Sequence, residues 1–272
     1  MTPVAVLTVA GSDSGGGAGL QADLKTFAAL GLHGCSAATV LTAQNTAMVA
    51  SVHVPPASFL AAQIDAVLSD FSIRATKTGF LATAENVAIA AARAQGGRLG
   101  HLVVDPVLVS SRGDRLVTAE TIEEYLRGVF PLALVVTPNA REAGLLANID
   151  VVTVADMEQA ARRLHDFGPG CVVVKGGGLD GADAVDVVFD GSTVTYLTAP
   201  RIATANTHGT GCTFSAATTA YLALGLPVSD ALSHAKTYVT QALAGGATWH
   251  LGAGHGPVDH MYRHRLQPRE DQ

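Results

Sequence analysis

The sequence is poor in aromatic and charged residues. Aromatic residues make up 5% of its 272 residues and charged residues 15%, whereas 48% are hydrophobic. This composition excludes an intrinsically disordered chain, which lacks the apolar residues needed for a core. The scarcity of aromatics disfavours an aromatic-cored β-sandwich. The abundance of Ala, Val, Leu and Gly is typical of Val-rich buried strands packed against Ala-rich helices.

A basic surplus, a long apolar run and paired cysteines are also missing. The formal net charge of -6 leaves no basic stripe for phosphates, so we expect no nucleic-acid partner. No apolar run approaches the roughly 20 residues that span a bilayer, and the first residues show no basic leader. We therefore expect no membrane association. Cys35, Cys171 and Cys212 lie far apart without a CxxC motif, which predicts a reducing, cytoplasmic setting.

Apolar runs alternate with helical patterns along the chain. Strands are predicted at 4–9, 35–42, 102–104, 132–136 and 171–174, and helices at 18–30, 58–68, 84–94, 213–224 and 228–244. This alternation predicts a mostly parallel sheet covered on both faces. Asp190-Gly191 predicts a hairpin between 185–189 and 193–197. No repeat or long linker divides the chain, so we expect one domain over residues 1–272. The residues after Pro257 are expected to fray.

Three predicted strands stop at polar residues. The run at 102–104 ends at Asp105, the run at 132–136 ends just before Asn139 with Glu142 three residues on, and the run at 171–174 ends at Lys175. The carboxyl ends of parallel strands line the ligand crevice of an open α/β sheet. These side chains are therefore expected to meet at one site, although polar residues also commonly mark strand ends.

The segment from Asn206 to Thr213 carries two glycines directly before a predicted helix. Gly209 and Gly211 let successive N–H groups converge, and a helix N-terminus adds partial positive charge. The pattern predicts an anion hole for a transferring phosphoryl group. Cys212 lies at its mouth, where a helix N-terminus is expected to lower the thiol pKa. The alternative is a glycine turn capped by Thr213, with the cysteine as a small packed residue.

A second glycine-rich loop, residues 11–19, follows the first predicted strand. It lacks the Gly-Lys-Ser/Thr of a Walker A loop and matches the dinucleotide fingerprint only loosely. A dinucleotide site also needs an acidic residue about 20 positions later, and none occurs between Asp23 and Asp65. Asp23 and Gln44 are instead predicted to hydrogen-bond a small polar heterocycle. His260 and His264 are four residues apart, but no completing ligand is evident, so a metal site there is not expected.

Taken together, these motifs resemble those of the hydroxymethylpyrimidine/phosphomethylpyrimidine kinases of thiamine biosynthesis, a family of the ribokinase-like superfamily. The resemblance covers nearly the whole chain in order. It is carried by AGSDSGGGAGLQADLKT at 10–26, TAQNT at 42–46, Asp105-Pro106-Val107, Thr137-Pro138-Asn139 with Glu142, Lys175-Gly176-Gly177, NTHGTGCT at 206–213 and GHGPV at 254–258. It implies a three-layer sandwich and ATP-dependent phosphorylation of 4-amino-5-hydroxymethyl-2-methylpyrimidine and then of its monophosphate.

The resemblance also implies residue roles. The acceptor would be bound by Asp23 and Gln44, with Gly11, Phe80 and Val107 as walls. Mg²⁺ would be organised by Asp105, Asn139 and Glu142, and the nucleotide would be bound by Lys175, Lys236, His208 and Thr210. Gly209, Gly211 and Cys212 would act at the reacting atoms. A homodimer is expected. The chain departs from the family at Gly178, Ala203 and Ala205, where His, Asp and Lys are usual.

Three other functions stay open at this point. A pyridoxal or pyridoxine kinase of the same superfamily also phosphorylates a hydroxymethyl group on a flat heterocycle. A cysteine hydrolase using Cys212 with His208 lacks an evident third orienting group. A nucleotide-binding regulator without chemistry is suggested by the alanines at 203 and 205.

Overall fold

A nine-stranded sheet runs through the part of the chain that the computed structural model describes, residues 2–110 and 113–264. Its strands are β1 (Ala5–Asp13), β2 (His33–Gln44), β3 (Val49–His53), β4 (Ile73–Thr78), β5 (His101–Val104), β6 (Val135–Val136), β7 (Val172–Val174), β8 (Asp183–Phe189) and β9 (Val194–Pro200). Their order across the sheet is β3-β2-β1-β4-β5-β6-β7-β8-β9. Neighbours from β2 to β7 are parallel, and β3, β8 and β9 pair antiparallel. The predicted fold class and hairpin are confirmed.

Helices cover both faces of this sheet. They are α1 (Gly19–Ala29), α2 (Ala57–Asp70), α3 (Ala84–Ala94), α4 (Ala119–Glu124), α5 (Ala140–Ala147), α6 (Val154–His165), α7 (Thr210–Ala223) and α8 (Val228–Gly246). On one face, α2 to α6 pack around large side chains such as Tyr125, Phe130 and Met157. On the other face, α1, α7 and α8 pack largely through small residues, Phe27 and Tyr238 being among the larger ones. No helix among the described residues is long and apolar enough to cross a membrane.

Helix α7 lies buried along its length, and its sequence suits that position. Every residue from Thr213 to Ala223 is buried. Its Ser and Thr hydroxyls donate to carbonyls of the preceding turn, as Thr218 Oγ1 does to Phe214 O at 2.9 Å. Polar side chains are therefore satisfied inside the helix. The helix begins at Thr210 and not at Thr213 as predicted, because Gly209 adopts a left-handed conformation (φ 82°) as the N-cap.

Two strands and the end of the chain differ from expectation. Strand β3 was not predicted because all five of its residues are exposed at the sheet edge. Strand β4 was not predicted because Thr76, Lys77 and Thr78 are polar, yet all three are fully buried. The expected fraying after Pro257 is wrong for residues 258–260, which are buried. Residues 265–272 lie outside the described residues.

Candidate active site

Asp105 and Lys175 meet at the carboxyl end of the parallel strands. Lys175 Nζ lies 2.7 Å from Asp105 Oδ1. Ser215 of α7 donates to the other carboxylate oxygen at 3.0 Å. Burial acts to raise the pKa of Asp105, but the nearby lysine ammonium groups outweigh it and the pKa is lowered. The site therefore holds a buried carboxylate that stays ionised beside a cation.

Asn139 and Glu142 form a capping box at the start of α5, next to this pair. Asn139 Oδ1 accepts from Glu142 N at 3.0 Å, and Glu142 Oε2 accepts from Asn139 N at 2.9 Å. The backbone of Asn139 is bridged to Lys175. Burial, aided by the charge of Asp105, raises the pKa of Glu142 to about 7 despite Lys175. The predicted meeting of the three strand ends is confirmed as geometry.

The two glycines before α7 make a close approach possible. A Cβ on Gly209 would overlap the carbonyl oxygen of Gly17, and one on Gly211 would lie 3.1 Å from Lys175 Nζ. Both positions therefore favour glycine. Thr210 donates its hydroxyl to Thr207 O at 2.6 Å. The N-terminus of α7 is thus held between the first glycine loop and the lysine.

Asp13 organises the first glycine loop, and sequence reasoning missed it. Its carboxylate accepts from the backbone N–H groups of Gly15, Gly17 and Ala18 at 2.8–3.1 Å. It also lies 2.8 Å from His208 Nε2. Burial acts to raise the pKa of Asp13, but these hydrogen bonds and the imidazole lower it overall. An aspartate between a strand and a run of glycines was the available signal.

Gln44 joins the same loop cluster. Its Nε2 lies 3.4 Å from His208 Nε2, and its backbone N–H bonds to Ser14 Oγ at 2.7 Å. The structure thus places His208, predicted to bind nucleotide, beside Gln44 on the side expected to hold the acceptor. Phe80 lies against Gly11, where an added Cβ would be 3.5 Å from the ring. Val107 is half-buried in the turn after Asp105.

Asp23 does not line an open pocket. Its carboxylate oxygens lie 2.7 and 2.8 Å from Lys77 Nζ, and Thr8 Oγ1 donates to it at 2.6 Å. Asp23 and Lys77 are both fully buried. The contact with the acceptor that the resemblance implies for Asp23 stays a prediction, and in this structure protein partners enclose the carboxylate.

Cys212 lies half-buried in the first turn of α7. Burial raises the pKa of its thiol, and the charges of Asp23 and Asp105 add to that effect. Lys77 and a hydrogen bond from the Gly19 backbone act in the opposite direction. The expectation that the helix N-terminus lowers this pKa is wrong, because desolvation dominates.

A loop after β7 is fixed by Arg201 and by Asp186, which is itself paired with Lys236. Lys236 Nζ pairs with Asp186 at 2.8 Å, and Asp186 also accepts from Gly176 N at 3.0 Å. The exposed Arg201 donates to the carbonyl oxygens of Gly177, Leu179 and Gly181 at 2.6–3.0 Å. These contacts order the glycine-rich segment that contains Gly178.

The donor set fits Mg²⁺ through water rather than by direct ligation. Mg²⁺ usually keeps several waters and takes one or two carboxylates plus phosphates. Asp105 and Glu142 supply two carboxylates, but their oxygens already accept protein hydrogen bonds. Among the described residues, no group of three His, Cys, Asp or Glu side chains could hold an ion alone. His264 instead contacts Ala29 O at 2.9 Å.

This geometry defines a phosphotransferase of ribokinase-like fold, with a glycine-bounded helix N-terminus beside a lysine and an acidic pair. The family described as Phosphomethylpyrimidine kinase matches residues 13–259. The chain belongs to this family.

Relatives and a solved structure are similar over most of the chain. The Thiamine biosynthesis bifunctional protein ThiED of Geobacter sulfurreducens is 47% identical over 94% of this chain, which spans 52% of that protein. The hydroxymethylpyrimidine/phosphomethylpyrimidine kinase of Rhizobium meliloti is 46% identical, covering 97% of this chain and 98% of the relative. The pyridoxal kinase of Staphylococcus aureus, solved with AMP-PCP and pyridoxal, is 36% identical with a TM-score of 0.89, covering 98% and 97%.

Proposed function

We propose that this protein transfers the γ-phosphoryl group of ATP to the hydroxymethyl oxygen of 4-amino-5-hydroxymethyl-2-methylpyrimidine. It then phosphorylates the product to the diphosphate, as part of thiamine biosynthesis. The observation that supports this proposal most strongly is that polar side chains converge at the N-terminus of α7. Gln44 and His208 lie on one side of it and Lys175 lies on the other. The name of the Rhizobium relative supports the pyrimidine as acceptor.

The acceptor side suits a polar heterocycle. The Gln44 amide offers both a donor and an acceptor, which matches a ring nitrogen next to an amino group. Phe80, packed on Gly11, provides an apolar wall, and Val107 is proposed as the opposite one. In the first transfer, the bond from the acceptor oxygen to the γ-phosphorus forms as the bond to the ADP oxygen breaks. The hydroxyl proton is released to solvent.

The donor side suits a triphosphate. Lys175 and the N–H groups of the first α7 turn face the position where charge develops on the transferring group. Asp105 and Glu142, with Asn139 beside them, would hold the hydration shell of Mg²⁺. When bound, that ion neutralises phosphate charge and orients the γ-phosphoryl group. Lys236 and Thr210 are proposed to border the nucleotide.

The neutral thiol of Cys212 explains how one site serves two acceptors. Because its pKa is raised, the thiol carries no charge near neutral pH. The second acceptor is an ionised phosphate, which an anionic residue at this position would repel. A neutral thiol accepts both the alcohol and the phosphate.

Product analysis tests this proposal. The protein is incubated with ATP, Mg²⁺ and the hydroxymethylpyrimidine, and mono- and diphosphate are followed by mass spectrometry. We expect the monophosphate first and the diphosphate after it. Cys212→Asp should slow the second transfer more than the first, whereas the uncharged Cys212→Asn should slow both alike. Absence of any phosphorylated pyrimidine would contradict the proposal.

Pyridoxal is the second candidate acceptor, favoured by the structural similarity to the Staphylococcus pyridoxal kinase. The same assay with pyridoxal in place of the pyrimidine discriminates the two. If ADP forms with pyridoxal and does not form with the pyrimidine, pyridoxal is the acceptor and the assignment is reversed. The single domain over 1–272, the homodimer and the cytoplasmic setting stay predictions; sedimentation velocity tests the dimer.

A further inference from the structure

The contact between Asp13 and His208 fixes a proton on one nitrogen of the imidazole. Oδ1 of Asp13 accepts from the backbone N–H of Gly15 at 2.8 Å. Oδ2 accepts from the backbone N–H groups of Gly17 and Ala18 at 3.1 and 2.9 Å. A carboxylate held by three N–H donors is ionised and has no proton to give. His208 Nε2, 2.8 Å from Oδ2, therefore carries the proton and donates it to Asp13.

The side-chain amide of Gln44 lies between two groups whose hydrogen-bonding roles are settled. One end of the amide meets His208 Nε2 at 3.4 Å, and the other end meets Thr42 Oγ1 at 3.3 Å. Because Nε2 of His208 carries a proton, it can only donate to the amide. The Thr42 hydroxyl gives its one proton to Ser12 O at 2.8 Å, so it can only accept from the amide.

These two roles favour one direction of the amide. As it stands, its nitrogen faces the N–H of His208, and its oxygen faces a Thr42 hydroxyl with no proton left to donate. Half a turn about the last side-chain bond exchanges the two atoms, and both mismatches become attractive contacts. Ser14 holds the Gln44 backbone, accepting from its N–H at 2.7 Å and donating to its carbonyl at 2.8 Å. The amide alone is therefore free to turn.

The direction of the amide decides where the reactive arm of the pyrimidine points. Successive ring positions of the acceptor carry the ring nitrogen, the amino group and the hydroxymethyl group. A bidentate pair places the amino group opposite the amide oxygen and the ring nitrogen opposite the amide N–H. With the oxygen toward His208, the hydroxymethyl group lies on the His208 side, next to Gly209, the N-cap of α7. In the reverse direction it would lie on the Thr42 side, toward β2.

We propose that Asp13 and His208 are positioning residues that set the direction of the Gln44 amide and thereby point the hydroxymethyl group at the first turn of α7. This inference deepens the proposed function and rests on it. It also makes the pair a determinant of specificity, because the site then selects a ring nitrogen that accepts beside a substituent that donates. A ring with the reversed pattern needs the amide the other way round, against both His208 and Thr42.

The first test asks where the proton on His208 lies, and it needs no substrate. Long-range proton–nitrogen NMR of the full-length protein distinguishes the two imidazole nitrogens. The spectrum of His208→Gln identifies the signal among the ten histidines. We expect Nε2 to be protonated. A His208 ring whose only proton is on Nδ1 would overturn the proposal, whether or not the protein is a kinase.

The second test compares the binding of two rings that differ in this pattern alone. Calorimetry measures the Kd of the amino pyrimidine and of its 4-oxo counterpart, whose ring nitrogen carries a proton and whose oxygen accepts. The wild type should bind the amino ring about 10-fold to 100-fold more tightly, the range for a mispaired buried polar group. His208→Leu removes the donor and should lower this ratio about 10-fold. His208→Gln brings an N–H near the same position and should keep the ratio.

Two further variants separate the direction of the amide from loosened packing. Thr42→Val removes the acceptor at the other end of the amide and should lower the ratio about 3-fold. His255→Leu removes a histidine of the adjoining loop, which contacts Ala205 O at 3.1 Å, and should leave the ratio unchanged. An unchanged ratio in His208→Leu contradicts the proposal, and so does an equal fall in His255→Leu. If His208→Leu does not fold, an unchanged ratio in Thr42→Val decides against it.

These outcomes keep this inference apart from the proposed function. If the wild type forms phosphorylated pyrimidine but His208→Leu keeps the full ratio, the function stands and the role of Asp13 and His208 fails. If the wild type binds neither ring, the proposed function fails, and the direction inferred for the acceptor fails with it.

Discussion

The two faces of the sheet differ in the side chains that are buried beneath their helices. The face under α2 to α6 is filled with large apolar side chains, among them Tyr125, Phe130 and Met157. The face under α1, α7 and α8 carries three buried lysine–aspartate pairs, each 2.7–2.8 Å long. These are Asp23–Lys77, Asp105–Lys175 and Asp186–Lys236. The difference indicates that the second face combines apolar packing with the buried charges of the site, whereas the first face is mainly apolar.

This division has a physical basis. Taking a lysine and an aspartate out of water is unfavourable, and their attraction often does no more than offset that loss. Burial of apolar side chains contributes about 25 cal/mol per Å². A fold that gathers charge pairs on one face therefore needs a well-packed opposite face, and here the same strands connect the two.

The largest expected effect tests the apolar face. Phe130→Ala removes a fully buried ring and should lower the free energy of unfolding by about 3–5 kcal/mol. The turnover number of the folded fraction should not change, because this ring lies on the face away from α7. Urea unfolding and kinetics on the same sample check both statements. Phe59→Ala, whose ring is 58% exposed, is the matched control. A fall in turnover without loss of stability would break the comparison.

An intermediate effect tests Glu142, at the edge where the two faces meet the site. Its pKa of about 7 in the folded state exceeds the ordinary carboxyl value, so the folded protein binds this proton more tightly. The stability from this group is present at low pH and is lost as the pH rises through 7. Between pH 5 and pH 8 the loss is on the order of 3 kcal/mol.

Glu142→Gln removes the titrating group while keeping an oxygen for the capping box. Urea unfolding of the variant should depend less on pH than the wild type over that interval. Equal pH dependence in the two proteins would show that Glu142 is not the group responsible.

The smallest effect compares two helix caps. Asn139 caps α5 at the site, and Thr153 caps α6 through its own capping box with Asp156. Replacing either cap by Ala should lower the free energy of unfolding by about 1 kcal/mol. Only Asn139→Ala should also change kcat or the KM for ATP. A kinetic effect of Thr153→Ala comparable to that of Asn139→Ala would contradict the separation.

Much of the fold was predictable because its strands end where the apolar runs end. That pattern placed Asp105 and Lys175 at strand ends, and the Asp190-Gly191 signal placed the hairpin; the structure confirms both placements. Strand β4 was not predicted because its buried face carries Lys77, whose partner Asp23 lies 54 residues away in the chain. A periodicity argument treats a lysine as exposed, and only the three-dimensional pairing makes its burial possible.

The sequence predicted which residues form the site better than it predicted what each residue does there. The glycines at 209 and 211, Gln44 and the strand-end residues do lie together. The charge state of Cys212 was predicted in the wrong direction, since sequence shows a helix N-terminus but not the degree of burial. Ser215 was missed because its partner Asp105 comes from a distant part of the chain. Asp13 was missed although its glycine-loop partners follow it directly in the sequence; only its contact with His208 is distant.

The small residues of α7 affect how close to the sheet the reacting groups lie. Ala216 and Ala220 belong to one buried cluster with Val6 and Ala75 of the strands, so mainly small side chains lie between the helix and the sheet there. The height of the helix above the strands fixes the level at which its first turn, with Cys212, meets an incoming acceptor. Residues without any chemistry of their own thus act as spacers that set the reach between the two substrates.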